Sequence, residues 1–413
     1  MRRGIVIHAA CAFALLNGAS CWAQRRLSLK EAIDQALQSR ASLKAQAEQV
    51  LAAEGLKRQA GLIANPEFQF QNENLRPGQT YSRDVDTLAM INQPLDVLGK
   101  RRQRITLAGE RVNRARADYE LARWQVIQEV KNAYWAALGS ERIRNVLKTS
   151  ADNFQRIVQY HSAQFSAGAI AEQDFLRVRL EGERLQISAD LAGIDANRLR
   201  LDLLRAMGDS SFPELILTEP LVPQSEVEPL GIDEVLNRRM EIKAARTALE
   251  EAKANARLQD VLARPDLNVT YGYKRTELPD TTFGVNTAIA SVRITLPTTD
   301  RNQGNRSAAQ AEVRRQEQIL AATETEIRAE YQSALQEYQA RHTELLNELG
   351  PLREHAAEIA SIASAAYAEG GTDLLRLLDA ERSRLDAELA WTRGMVDYRQ
   401  SIDRLEAAEG VIQ

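Results

Sequence analysis

The sequence is poor in the residues that interrupt helices or cross-link small domains. Its 413 residues include 21 glycines, 11 prolines and 2 cysteines, and aromatic residues make up only 5%. Both cysteines lie within the first 21 residues, so no disulfide is expected to support the rest of the chain. Ala, Leu, Glu, Gln and Arg dominate instead, and these residues lose little on entering a helix. The composition therefore predicts long helices.

Long runs of one residue class are also missing. The formal net charge is −4, and no basic tract is long enough to neutralise a row of phosphates, which argues against a nucleic-acid partner. Beyond the N-terminus no run of about 18 apolar residues occurs, so no transmembrane helix is expected in the mature chain. The sequence contains no nucleophile elbow, P-loop or dinucleotide-binding motif. We therefore expect neither an enzyme nor a cofactor.

The N-terminus has the pattern of a secretory signal. Two arginines precede an apolar stretch over residues 5–16, and small residues follow up to position 23. We expect residues 1–23 to be a signal peptide, which takes the protein out of the cytoplasm. The alternative is a lipoprotein signal in which Cys21 is acylated.

The rest of the chain is an internal duplication. Residues 36–45 match residues 235–244 at an offset of 199. Farther along, residues 165–168 match residues 367–370 at an offset of 202. Collinear matches at a nearly constant offset predict two structural repeats. We place the repeats at 24–209 and 231–413, joined by a proline-rich linker over 210–230.

Each repeat has the same predicted order: a helix, a β-hairpin and two long helices. The longest stretches have about 65 residues and at 1.5 Å per residue would reach about 100 Å. Pro351 lies inside one of them and predicts a kink or break there. The expected helices are 29–62, 99–165 and 172–207 in the first repeat, and 232–262, 304–367 and 373–408 in the second.

Alternating apolar and polar residues predict the strands. The clearest pattern runs from Leu267 to Lys274, with a partner over 288–296. A weaker pair covers 67–71 and 87–93. Turn residues at 76–78 and 278–280 close the two hairpins.

Strands of about ten residues are long enough to cross a bilayer obliquely. Four strands cannot close a barrel, and an open sheet edge in hydrocarbon leaves backbone groups unpaired. If the strands span a membrane, several chains must therefore pool them. The alternative is a small soluble β-domain at the end of a coiled coil.

Several motifs resemble those of the outer membrane factors, the TolC-like channels of tripartite efflux and type I secretion systems. The resemblance covers residues 27–408 and rests on the repeated element order, on Asn65-Pro66-Glu67 and on the segment 93–101. Residues 296–305 are most similar to the branch that serves cobalt-zinc-cadmium efflux.

The resemblance implies a mainly α-helical homotrimer with a small β part. Each chain would give four strands to an outer-membrane β-barrel, surrounded by lipid and continued by a long periplasmic helical barrel. The implied partners are a periplasmic adaptor and an inner-membrane pump of the resistance-nodulation-division type, exporting heavy-metal cations. Drug efflux or type I secretion remains an alternative, as does a periplasmic coiled-coil scaffold.

The resemblance also implies that the two glycine turns form the periplasmic tips. Gly168, Gly370 and Gly371 would mark the turns on which the helical hairpins of the adaptor dock. A plain helix-turn-helix connection would need the same glycines, because glycine readily adopts the left-handed conformation of a helix end.

The gate residues implied at the tips are Asp174, Tyr367, Asp379 and Arg376. Asp174 and Tyr367 would be joined by a hydrogen bond that holds the helices together, and Asp379 would face the pore. Arg376 replaces a second pore aspartate and could pair with Asp379 or Asp373. Thr372 stands where the family carries a gate arginine.

Two further groups of residues have simple interpretations. The histidines beyond the signal, at 161, 342 and 355, lack a second ligand at helical spacing, so no metal site is expected. The basic residues at 100–104 open the first long helix. They form either a solvated face or a contact with anionic lipid head groups or with neighbouring acidic side chains.

Overall fold

The computed structural model describes residues 25–78, 80, 85–224, 227–276 and 284–411. The expected signal peptide over 1–23, with Cys21, and the turn at 278–280 lie outside the described residues. Helices account for most of the described chain, and strands for a small part. Among the described helices, none contains an apolar stretch of the length that a membrane-spanning helix needs.

The first repeat contains two short helices, a hairpin and two long helices, in the predicted order. Its elements are β1 (Arg25–Leu27), α1 (Leu29–Ser39), α2 (Ala41–Ala60), β2 (Glu67–Glu73), β3 (Asp86–Leu95), α3 (Lys100–Ser166) and α4 (Glu172–Met207).

The linker and the second repeat follow the same plan. Their elements are β4 (Leu215–Leu217), α5 (Ile232–Arg238), α6 (Met240–Leu262), β5 (Asp266–Thr276), β6 (Val285–Thr295), α7 (Gln303–Thr343), a π-helical segment (Glu344–Leu349), α8 (Gly350–Ala368) and α9 (Leu374–Ala408). The predicted break at Pro351 is confirmed, because the π-helical segment ends just before this proline.

The opening helix of each repeat is broken, and the prediction of one continuous helix is wrong in both. Arg40 and Arg239 leave the helical conformation, with ψ values of 116° and 129°. Tertiary contacts hold both residues. The guanidinium of Arg239 donates to the carbonyls of Ala407 and Ala408 at the end of α9, at 3.2 and 3.1 Å. Neither proline nor glycine marks these breaks in the sequence.

Strands from both repeats form one antiparallel sheet in the order β2-β3-β5-β6. The register aligns Phe68, Ile91, Tyr271 and Ala290 in one row across the sheet. The neighbouring row contains Glu67, Asn92, Thr270 and Ser291. The predicted alternation is therefore confirmed, since successive side chains point to opposite faces and give one apolar and one polar face.

One strand of the sheet differs from the expected length, and one position in the sheet accepts only glycine. β2 has seven residues, which extends the predicted range 67–71 by two residues but is short of about ten, whereas β3 has ten and β5 and β6 have eleven each. At Gly272 an added Cβ atom would clash with the carbonyl oxygen of Ala89. Only glycine fits this close approach between β5 and β3.

Tyrosine hydroxyls attach the linker to the long helices. Tyr134 donates to the carbonyl of Leu27 at 2.9 Å and accepts from the backbone N–H groups of Thr218 and Glu219, each at 3.2 Å. The linker was expected to be irregular throughout, but β4 pairs in parallel with β1. This pairing and the tyrosine contacts fix the linker beside the cores of the two repeats.

Candidate functional site at the helix tips

The two turns predicted as functional have the same backbone hydrogen bonds. After α3, the N–H of Ala169 donates to the carbonyl of Gln164 at 2.9 Å, and after α8 the N–H of Gly371 donates to Ala366 at 2.7 Å. Gly168 and Gly370 have φ values of 70° and 77°. Bonds that span five residues around a left-handed glycine define the Schellman helix end.

The turn glycines are selected by backbone conformation rather than by packing. A Cβ atom at Gly168 or Gly370 would have no heavy atom within 4 Å, apart from its own chain neighbours. Their positive φ values are strained for other residues. The turns are thus open surfaces, and their role in docking an adaptor stays a prediction.

Tyr367 contacts a residue that sequence reasoning did not assign to the tip. Its hydroxyl lies 2.8 Å from Nε2 of His161 on α3. The described residues show no hydrogen bond between Tyr367 and Asp174, so the predicted partner of this phenol is wrong. A helical histidine about 200 positions away in sequence gave no signal of this pairing.

Asp174 still acts on Tyr367 through its charge. Burial is the largest cause that raises the pKa of the Tyr367 hydroxyl, and the nearby Tyr160 and Asp174 raise it further. Asp174 lies in the first turn of α4, where a carboxylate is favoured by the helix dipole. It is therefore a neighbour of the contact between Tyr367 and His161 and is not part of it.

The charged residues at the start of α9 do not form either of the suggested ion pairs. The carboxylate of Asp373 accepts from the backbone N–H of Arg376 at 2.9 Å and caps the helix. Arg376 and Asp379 are exposed, and the described residues contain no ion pair made by the Arg376 side chain. The suggested pairing of Arg376 with Asp373 or Asp379 is therefore absent, and the gate role of Arg376 and Asp379 stays untested.

A salt bridge farther from the tip joins the returning helices of the two repeats. Arg382 of α9 binds Glu181 of α4 with two hydrogen bonds, of 2.7 and 3.3 Å. Glu181 is the largest cause that raises the pKa of Arg382, and Asp386 and Asp379 add to it. Because Arg382 is half exposed, the pair contributes little stability, but its two-bond geometry fixes how α4 and α9 face each other.

The basic cluster that opens α3 attaches the helix to the base of the sheet. Lys100 pairs with Asp266 at 2.6 Å, Arg101 donates to the carbonyl of Gly61, and Arg104 pairs with Asp96. Three of its four basic residues therefore have protein partners, so the cluster is not a fully solvated face. The predicted contact with neighbouring acidic side chains is confirmed for Lys100 and Arg104. The described residues contain no cluster of three side chains able to hold a metal ion.

A family profile matches most of the chain. The profile of the outer membrane efflux proteins covers residues 32–207 and 231–411. The cobalt-zinc-cadmium resistance protein CzcC of Cupriavidus metallidurans is 28% identical over 372 residues, which are 88% of this chain and 85% of that protein.

Solved structures share the fold. The outer membrane channel CmeC of Campylobacter jejuni superposes with a TM-score of 0.76 at 18% identity, covering 92% of this chain and 85% of that one. The open state of the channel MtrE of Neisseria gonorrhoeae gives a TM-score of 0.75 at 21% identity, covering 92% and 88%.

Proposed function

Because this chain belongs to the outer membrane efflux protein family, we propose that it is the passive exit duct of a tripartite efflux system. As a member it is an outer-membrane channel protein and not an enzyme. The observation that carries the proposal is the four-stranded sheet. Its apolar face runs across strands of both repeats, and its outer strands, β2 and β6, have no further partner strand within the described residues.

The open sheet edges favour a homotrimer. Backbone groups at a free edge cannot face hydrocarbon, so β6 of one chain must pair with β2 of another until the ring closes. Three chains supply twelve strands, within the range of membrane barrels. Such a head-to-tail interface uses two different surfaces of each chain.

The helices offer two such surfaces. Exposed apolar residues recur at intervals of three, four or seven on α4, which is the spacing of a coiled-coil seam. A shorter exposed apolar row lies on α8 and the segment before it. The α4 row contains Leu176, Leu180, Ile187, Leu191, Ile194 and Leu201, and the other contains Leu346, Leu352, Ile359 and Ile362. We infer that the α4 row of one chain packs against the α8 row of the neighbouring chain.

The two repeats then form structurally equivalent sections of the wall of the helical barrel. In this proposal the repeats are residues 24–209 and 231–413, and the linker over 210–230 lies at the equator. The open turns at Gly168, Gly370 and Gly371 receive the helical hairpins of a periplasmic adaptor. The adaptor couples the duct to an inner-membrane pump of the resistance-nodulation-division type.

Heavy-metal cations are the proposed substrate class, and the support is the cobalt-zinc-cadmium resistance named for CzcC. The test is growth of a strain that lacks this chain. Complementation is expected to restore tolerance of cobalt, zinc or cadmium. Restored tolerance of dyes and detergents alone would identify a drug-efflux duct, and restored secretion of a protein would identify type I secretion.

The duct itself is tested by fractionation and by electrical recording. The protein is expected in the detergent-extracted outer membrane, and the purified protein should form ion-conducting pores in planar bilayers. Recovery in the soluble periplasm without detergent would identify a coiled-coil scaffold and contradict the proposal. Arg382→Gln, which loses the link to Glu181, should still insert, because that link lies outside the sheet.

A further inference from the structure

Close packing of α3 against α9 joins the two repeats within one chain. Gly139 of α3 leaves no room for a side chain, because an added Cβ atom would clash with Val396 of α9. One turn away, the guanidinium carbon of Arg399 lies 4.3 Å from the centroid of the Trp135 ring. Trp135 and Arg399 are both buried. We call this antiparallel contact the α3–α9 seam.

The buried residues align each helix of the seam with a helix of the other repeat. Those of α3 coincide with those of α7 at an offset of 201, and those of α4 coincide with those of α9 at an offset of 202. The first set pairs Ala108 with Ala309, Val130 with Tyr331 and Ala137 with Tyr338. The second set pairs Ala196 with Tyr398, Leu203 with Leu405 and Ala206 with Ala408. α7 and α4 therefore have positions equivalent to the two sides of the seam.

The residues equivalent to the closest contact of the seam are exposed in one chain. Ala340 of α7 corresponds to Gly139, and Ile194 of α4 corresponds to Val396. Ala340 is exposed, and the large apolar side chain of Ile194 is 67% exposed. The seam likewise places a branched apolar side chain against a very small residue. Ala340 and Ile194 are therefore complementary in size and polarity.

One turn from this position, the equivalent residues are Gln336 of α7 and Asn197 of α4. They stand where the seam has Trp135 and Arg399, and both are exposed in one chain. Side-chain amides donate to and accept from each other, so the two residues can form hydrogen bonds across a contact. Neither carries a charge that would oppose the approach of α7 and α4.

Charges at the base of the sheet are duplicated in the same way. Lys100, at the start of α3, pairs with Asp266, at the start of β5, with 2.6 Å between Nζ and a carboxylate oxygen. At offsets of 201 and 199 the equivalent residues are Arg301 and Glu67. Both are exposed, and neither forms an ion pair with another described residue. Glu67 begins the outer strand β2 and Arg301 follows the outer strand β6, so opposite charges lie at the two open edges.

We propose that the contact between copies repeats the contact between repeats, with Ala340 and Arg301 of one copy against Ile194 and Glu67 of the next copy. The proposal rests on the closed ring of chains described above as the proposed function. A ring of chains that each contain two repeats alternates junctions within a chain and junctions between chains. Equal geometry at both kinds of junction lets the ring close with uniform curvature.

Disulfide cross-linking tests the helix contact. No cysteine follows residue 21, so Ile194→Cys with Ala340→Cys introduces the only thiols beyond the expected signal peptide. Outer-membrane fractions are oxidised with copper phenanthroline and separated on a denaturing gel without reductant. We expect the protein to shift from the monomer band to a band of trimer mass, and reductant should restore the monomer.

The matched control is Ile194→Cys with Ala329→Cys. Ala329 is exposed on the same face of α7, about three turns before Ala340, so its thiol is too far from position 194 of the next copy. The control should remain monomeric after oxidation. Cross-linking of the control in place of the test pair would overturn the proposed alignment of α7 with α4.

Charge exchange tests the ion pair without introduced thiols. Glu67→Arg or Arg301→Glu alone places like charges together and should lower the fraction of trimer in detergent. The double variant restores opposite charges and should recover the trimer fraction of the parent. A double variant that loses as much trimer as the two single variants together would overturn the ion pair.

Native mass spectrometry of the same samples separates failure of this contact from failure of the channel. A trimeric parent protein, with an Ile194→Cys and Ala340→Cys variant that is trimeric but not cross-linked by oxidation, contradicts the proposed contact alone. A parent protein that is monomeric in detergent contradicts both the contact and the proposed function.

Discussion

At the scale of single residues, Lys131 is a buried charge that joins the two repeats. It lies on α3, is 4% exposed, and its Nζ lies 2.9 Å from Glu406 and 3.6 Å from Asp403 on α9. Lys131→Met should lower the free energy of unfolding by about 3–5 kcal/mol, because two carboxylates lose their buried counter-charge. Denaturant unfolding measures this.

The matched control for Lys131 is Lys148→Met, on an exposed part of α3. Its unfolding free energy should change by no more than about 0.5 kcal/mol. If both substitutions lower the unfolding free energy equally, the buried charge cluster does not specifically stabilise the contact between the repeats.

Asp403 makes the stability of this contact between the repeats depend on pH. Burial raises its pKa above the ordinary value of 3.8, and the charge of Lys131 only partly opposes this effect. A carboxyl with a raised pKa binds protons more tightly when folded. Its contribution to stability is therefore fully present below pH 3.8 and is lost as the pH rises through the folded value.

Asp403→Asn removes this ionisation. The stability of the variant relative to the parent should therefore increase as the pH is raised from about 4 to about 7. Urea unfolding of both proteins at several pH values measures the difference. A difference that stays constant over this range would contradict the raised pKa.

At the scale of elements, the sequence predicts best where the local pattern decides the structure. The alternation from Leu267 to Lys274 is local, and it predicts the strand and its two faces. The breaks at Arg40 and Arg239 depend on contacts with distant residues and leave no local signal. The partner of Tyr367 escapes prediction for the same reason, because helical spacing does not reveal which distant side chain is adjacent.

The two faces of β5 give the prediction that belongs to this scale. Val269 lies on the apolar face, in register with Val292, and Thr270 lies on the polar face beside Asn92. Val269→Arg should hinder membrane insertion by about 2–4 kcal/mol if the site is near the bilayer midplane. Thr270→Arg should be tolerated, because the polar face would point into the proposed barrel.

The yield of heat-modifiable, detergent-extracted protein in outer-membrane fractions measures the insertion of both β5 variants. Tyr271→Arg and Asn268→Arg test the same two faces, at positions opposite Ala290 and Arg293. Equal losses on both faces would mean that β5 does not span the membrane.

At the scale of the whole molecule, the proposed trimer uses surfaces that a single chain leaves exposed. One chain presents a sheet with two outer strands and two exposed apolar helix rows. Composition predicts the long helices and duplication predicts the common plan of the repeats. How copies meet depends on surfaces that are not adjacent in sequence, and only the folded chain reveals which rows remain exposed.

The most direct test of the pooled-strand channel is native mass spectrometry of the detergent-extracted protein, combined with circular dichroism of the same fraction. The account predicts a trimer that keeps its strand signal, because only pooled strands satisfy the edges of β2 and β6. A stable monomer that keeps the full strand signal in detergent would contradict it.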